Sequence, residues 1–134
     1  MISSGGFSRL AHVGRRVLIV DDEPYIRRIL SFKLRREGFT TYEAPSAEAA
    51  EKLLTEREVD LALLDVALAT PTNGFDLAAR LRRNARTQHL PIIMLTARGF
   101  ASDVLRGREV GAAGYITKPF TAEEVIRRVR AFLG

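Results

Sequence analysis

The sequence predicts an α/β fold: a doubly wound parallel sheet of five strands flanked by five helices. Three observations carry the prediction. The runs Val17–Val20, Leu61–Leu64 and Leu90–Leu95 are too short for buried helices and are continuously apolar, the pattern of strands covered on both faces. Strand and helix patterns then alternate five times, which requires helical crossovers of right-handed sense. Finally, 134 residues of which 46% are hydrophobic suit one domain with one core.

Residues 1–14 contain Ser3-Ser4-Gly5-Gly6 and hold no sustained period. They are expected to be a flexible N-terminal arm or cloning remnant, so the folded domain is expected over 15–134. Val17–Val20 is the first strand and runs into Asp21-Asp22-Glu23-Pro24. Pro24 suits a first helical turn, Ile26, Ile29, Leu30 and Leu34 share a face, and Gly38 ends the helix. Phe39 to Ala44 is a second strand, with no reactive residue at its end. Ser46 caps a helix that buries Ala47, Ala50, Leu53 and Leu54.

The third strand, Val59–Asp65, ends in a carboxylate. Ala69 to Gly74 is a turn-rich loop, and Phe75 to Arg83 a helix with Leu77, Ala78 and Leu81 inward. Leu90–Leu95 delivers Thr96 to its carboxyl end. A weaker helix over Ser102–Val110, interrupted by Gly107, is expected to be a mobile segment. Tyr115–Thr117 is the shortest strand and feeds Lys118-Pro119. Thr121 with Glu124 makes a capping box for a last helix whose inner face is Val125, Ile126, Val129, Phe132 and Leu133.

Composition narrows the functional classes. No cysteine is present, which excludes disulfides, thiol nucleophiles and cysteine metal sites and fits a reducing compartment. No apolar run spans a membrane and no secretory signal is apparent, so a cytoplasmic protein without membrane partners is expected. The net charge of +5 is concentrated at the N-terminus: residues 1–16 hold three arginines and no acid, leaving 18 basic against 16 acidic residues elsewhere. Most remaining arginines (Arg27, Arg28, Arg35, Arg36, Arg80, Arg82, Arg83, Arg127, Arg128, Arg130) fall on helix surfaces and read as solvated. No recognition motif accompanies them, so direct nucleic-acid binding is not expected. His12 and His89 have no partner at catalytic or ligand spacing.

Four of the five strands end in polar reactive groups: Asp21 and Asp22, Asp65, Thr96, and Lys118. Ligands of open parallel sheets bind just outside the carboxyl ends of the strands. Three carboxylates converging there disfavour a shared ionised state unless a cation neutralises them, and an all-oxygen donor set suits Mg²⁺. Lys118 and Thr96 offer a positive charge and a hydroxyl donor to a phosphoryl group, with Asp65 as nucleophile and an acyl phosphate as product. Singly, each residue has an ordinary explanation: a helix cap for Asp21 or Thr96, a core aromatic for Tyr115, a solvated charge for Lys118. Their joint placement at four strand ends sets those explanations aside.

Asp21-Asp22-Glu23, Asp65, Thr96-Ala97 and Lys118-Pro119-Phe120, each after its own strand, resemble the CheY-like receiver domain of two-component response regulators. The resemblance covers Arg15 to Gly134 and implies the flavodoxin-like strand order 2-1-3-4-5, with Mg²⁺ as cofactor. It implies Asp65 as phosphoacceptor, Asp22 as direct metal ligand, Asp21 acting through metal-bound water, and the Ala67 carbonyl completing the ligands. Thr96 resembles the switch hydroxyl and Tyr115 the aromatic that moves in behind it. Lys118 resembles the phosphate-binding lysine, with a cis bond to Pro119. The resemblance implies a phosphoprotein that catalyses its own Mg²⁺-dependent phosphorylation and autodephosphorylation, a signalling switch rather than an enzyme. The implied partners are a sensor histidine kinase or histidine phosphotransfer protein, and an effector that reads Ser102–Val110, Tyr115 and the last helix. The chain stops as that helix ends, so an output domain is expected to be absent or cut away.

Two departures stand out. Gly74 lies nine residues past Asp65 where the family usually has eight, and Pro71 six where it has four. Ala67 and Arg98 occupy positions that in the family tune the acyl phosphate's lifetime. Gly111–Gly114 lacks the acids that support a homodimer through the fourth helix, fifth strand and fifth helix, which leaves self-association through another surface open. Two alternatives follow: a phosphorylation-independent receiver-like scaffold, which the altered loop would favour, and an aspartyl-phosphate-type phosphatase. The second needs an acid two residues past the nucleophile, where Ala67 stands.

Overall fold

The computed structural model describes residues 14–68, 72–97 and 101–134, the side chains of 101–104 excepted. Five strands form: β1 (Arg16–Val20), β2 (Thr40–Ala44), β3 (Leu61–Asp65), β4 (Ile92–Thr96) and β5 (Gly114–Thr117). They alternate with α1 (Pro24–Arg36), α2 (Ala47–Glu56), α3 (Gly74–Arg83), α4 (Ala101–Glu109) and α5 (Ala122–Leu133). All pairings are parallel and the order is β2-β1-β3-β4-β5, the predicted topology. The predicted arm falls outside the described residues except for Gly14, whose N–H donates to the Gly38 carbonyl at 3.0 Å.

Strand alternation sorts the core into two layers. Val17 and Ile19, Leu61 and Leu63, Ile93 and Leu95, and Ile116 face α1 and α5, meeting Leu30, Leu34, Val125, Ile126 and Val129. Leu18 and Val20, Ala62 and Leu64, and Ile92 and Met94 face the other way, onto Ala47, Ala50 and Leu54 of α2 and Phe75, Leu77, Ala78 and Leu81 of α3. Every residue of β3 and β4 is buried. Each such leucine or isoleucine contributes about 1.5–3 kcal/mol of burial, which anchors the two strand ends that the site needs.

Most helix ends follow the chemistry read from the sequence. Pro24 opens α1 and Gly38, at φ +99°, follows its end. Ser46 accepts from the Ala49 N–H at 3.1 Å, and Thr121 accepts from the Glu124 N–H at 3.1 Å, the Thr121 half of the predicted capping box. At α3 the cap is Asn73, in a reciprocal box with Asp76. The Asn73-x-x-Asp76 spacing carries that signal, and the sequence reading passed over it by treating the segment as loop.

Three expectations are corrected. Gly107 does not interrupt α4, which is continuous from Ala101 to Glu109 with Gly107 buried inside it. Phe132 is 44% exposed; it sits in the last turn of α5, where the core positions end with Leu133, and borders a surface groove with His89 and Pro91. Nor are the helix arginines uniformly solvated. Arg82, whose pKa burial lowers, donates to the carbonyls of Val110, Gly111, Thr87, Gln88 and Leu90 at 2.7–3.4 Å. It thereby ties the end of α4 to the loop before β4. Arg27 pairs with Glu43 and donates to the Asp21 carbonyl, and Arg128 donates to that of Tyr115.

Candidate functional site

The backbone ladder continues one step past the strand ends and fixes the reactive residues there. The Asp21 N–H donates to Ala44 O at 3.2 Å, Val66 N–H to Leu95 O at 2.9 Å, and Lys118 N–H to Thr96 O at 2.6 Å. Asp65 lies opposite Leu95 and Thr96 opposite Thr117. By strand alternation Asp21, Asp65 and Lys118 continue the α1/α5 side of the sheet, while Thr96 and Tyr115 continue the α2/α3 side. Side chains 97 residues apart in sequence therefore meet: Lys118 Nζ donates to Asp21 Oδ2 at 2.9 Å and lies 3.3 Å from Asp65 Oδ2.

Asp21 and Asp65 are buried, 0% and 3% exposed, and one carboxylate oxygen each from Asp21, Asp22 and Asp65 lies within 4.8 Å of the others. Such a group is costly without cations. Burial, and then the charge of Asp21, raises the Asp65 pKa above its ordinary value, against the opposing pull of Lys118 and the Ala67 N–H. Burial alone would lower Lys118, but its bond to Asp21 and the charges of Asp65 and Asp21 outweigh it and the net direction is upward. Lys118 is thus firmly an ammonium, and Glu23 Oε1 stands 3.5 Å from it at the rim. The Lys118–Pro119 peptide is cis.

The lengthened loop after Asp65 closes back onto that residue. Ala67 N–H donates to Asp65 Oδ1 at 3.1 Å, and Gly74 N–H to Val66 O at 3.0 Å. A Cβ on Gly74 would come within 2.9 Å of the Asp65 carbonyl carbon and closer still to its oxygen, so only glycine lets α3 begin against the Asp65 backbone. Residues 69–71, including Pro71, and Arg98 lie outside the described residues. Sequence reasoning counted the spacing of Gly74 but missed this close approach, which no local pattern encodes.

Thr96 is 1% exposed, and its Oγ1 has no hydrogen-bond partner among the described residues. A buried hydroxyl left so is unfavourable, and acquires a reason if a ligand supplies the partner. Tyr115 is half-buried against the α2/α3 layer, over the backbone of Gly107. His89 is exposed and stands apart from the site, while His12 lies outside the described residues. An all-oxygen set of three acids beside an ammonium fits Mg²⁺ and a phosphoryl group, and the three carboxylates are close enough to share one ion. Among the described residues no helix is long and apolar enough to cross a membrane.

Residues 17–130 match the model of the response regulator receiver domain. The phosphate regulon transcriptional regulatory protein PhoB of Pseudomonas aeruginosa is 44% identical over 121 residues, 90% of this chain and 52% of that protein. The chain thus spans about half the length of the relatives it matches. The structure of Vibrio cholerae chemotaxis protein CheY4 superposes with a TM-score of 0.85 at 27% identity, covering 90% of this chain and all of that one. The response regulator TrrA of Thermotoga maritima, solved in complex with Mg²⁺ and BeF, superposes at 0.77 with 31% identity, covering 89% and 99%.

Proposed function

Since this chain belongs to the response regulator receiver family of two-component systems, we propose that Asp65 accepts a phosphoryl group and that Thr96 and Tyr115 convert its arrival into a change of partner surface. The observation that carries the reading is the position of Lys118 Nζ between the buried carboxylates of Asp21 and Asp65. One Asp65 carboxylate oxygen attacks phosphorus and forms the P–O bond of an acyl phosphate. The bond from phosphorus to the donor's leaving group breaks with its electron pair, and a histidine imidazole on a kinase or phosphotransfer protein is the natural donor.

Asp21, Asp22 and Asp65 would hold Mg²⁺ with the Ala67 carbonyl, and the ion supplies positive charge against the phosphoryl oxygens. Lys118, already poised beside Asp65, adds a second positive charge there as its pairing with the carboxylate loosens. Thr96 Oγ1 gives up no partner among the described residues in turning to a phosphoryl oxygen, so the new hydrogen bond is nearly all gain. Tyr115 follows on the same side of the sheet and alters the surface of α4, β5 and α5 that an effector reads. The switch is a population shift biased by contacts made only in the phosphorylated form. A cytoplasmic location fits the cysteine-free composition.

The test is intact mass after incubation with a small-molecule phosphodonor, with and without Mg²⁺, alongside Asp65→Asn. A Mg²⁺-dependent phosphoryl adduct absent from the variant is expected. Persistent Mg²⁺-dependent labelling of Asp65→Asn would remove Asp65 from the role, and no adduct on folded, Mg²⁺-binding wild type would favour the scaffold reading.

A further inference from the structure

Gly107 lies in the body of α4, where glycine weakens a helix relative to alanine. Its backbone does not ask for glycine: it is not among the residues at positive φ, and the chain continues through it with Val110 N–H to Arg106 O at 3.2 Å and Ala112 N–H to Gly107 O at 2.8 Å. The reason for glycine lies across the interface. A Cβ at 107 would fall 2.6 Å from Tyr115 Cζ and closer still to Oη and Cε1, well inside van der Waals contact. The Tyr115 backbone has little freedom to retreat, because β5 pairs with β4 there and Arg128 holds the Tyr115 carbonyl at 3.0 Å. The phenol ring itself occupies the volume that a methyl group would take.

We infer that Gly107 is a positioning residue for Tyr115: the Cβ it lacks is the seat of the phenol on α4, and the seated ring is what couples β5 to α4. The functional consequence rests on the proposed roles of Asp65, Thr96 and Tyr115. With a side chain at 107, the ring leaves its seat by rotating about its two side-chain torsions. Phosphorylation of Asp65 then proceeds, but α4 no longer responds to it.

The inference predicts an inversion of sign that needs no phosphorylation. Gly107→Ala lowers the urea midpoint when Tyr115 is present, because the ring is displaced. In a Tyr115→Ala background the same substitution raises the midpoint, because only the gain in helix propensity is left. In NMR spectra the wild type shows cross-relaxation between the Tyr115 ring and the Gly107 α-protons. In Gly107→Ala the Tyr115 ring signals shift while those of Tyr25 and Tyr42 stay. The variant retains its mass adduct, and its α4 amides lose their response to Mg²⁺ and beryllofluoride. A rise of the midpoint in both backgrounds, a fall or failure to fold in both, or unchanged Tyr115 ring signals would overturn the inference. A wild type that takes no phosphoryl group defeats the reading of Asp65 instead and leaves the inversion to stand or fall by itself.

Discussion

Replacing Thr96 by valine should make the resting protein more stable while removing its response. The two side chains have nearly the same shape and both are β-branched, so β4 and its contacts are retained. What changes is Oγ1, buried and without a partner among the described residues. A buried hydroxyl left unpaired costs about 1–3 kcal/mol. Its removal should therefore stabilise Thr96→Val by about 1–2 kcal/mol, or roughly 3–6 °C in Tm for a domain of this size. Urea and thermal unfolding without Mg²⁺ measure this directly. Adding Mg²⁺ and beryllofluoride, a phosphoryl mimic, should then stabilise the wild type by about 1.5–3 kcal/mol more than the variant, since only the wild type gains a hydrogen bond to the charged group. A Thr96→Val protein less stable than wild type by about 1 kcal/mol would refute the reasoning, because Oγ1 would then be well bonded at rest.

Two further outcomes follow from the same geometry. Asp65 has a raised pKa in the fold, so the folded chain holds this proton more tightly than the unfolded chain. Its contribution is fully present below the ordinary value of 3.8 and is lost as pH rises through the raised value. At pH 7 without metal, Asp65→Asn should therefore unfold at a higher temperature than wild type, the gap closing in acid. Mg²⁺ at about a hundredfold over its Kd adds about 2.7 kcal/mol to the wild type alone and should reverse the order; a variant less stable in metal-free buffer at pH 7 contradicts this. Arg82→Met strips one guanidinium from five carbonyls and should cost about 2–4 kcal/mol in urea unfolding. A loss below about 0.5 kcal/mol, within the range of ordinary surface substitutions, would show the clamp to be dispensable.

The parts legible in the sequence are those that local pattern encodes. The runs at Val17 and Leu61 identified buried strands, and the polar residues at four strand ends identified the rim where Asp21, Asp65 and Lys118 meet. What escaped depends on contacts between distant segments. Arg82 has the spacing of a solvated helix residue, and only the fold shows it turned into the loops around Leu90 and Val110. Gly107 reads locally as a helix breaker, although its small size serves a ring eight positions further along the chain. Phe132 lies at the edge of the α5 face that Val125, Ile126, Val129 and Leu133 turn to the core, and it stays largely outside that core. Asn73 is a different kind of miss, since its cap was written in Asn73-x-x-Asp76 and was hidden only by the turn-rich residues before it.

The alternation of the central strands separates the two halves of the device. Asp21, Asp65 and Lys118 extend one side of the sheet, over the layer of α1 and α5, and Thr96 and Tyr115 extend the other. The two sets meet at the strand ends, where Asp65 closes β3 and Thr96 closes the neighbouring β4. The surface of α4 and Tyr115 is thus built on the layer opposite the carboxylates and ammonium, and under the proposed function Thr96 is the one side chain that joins the two.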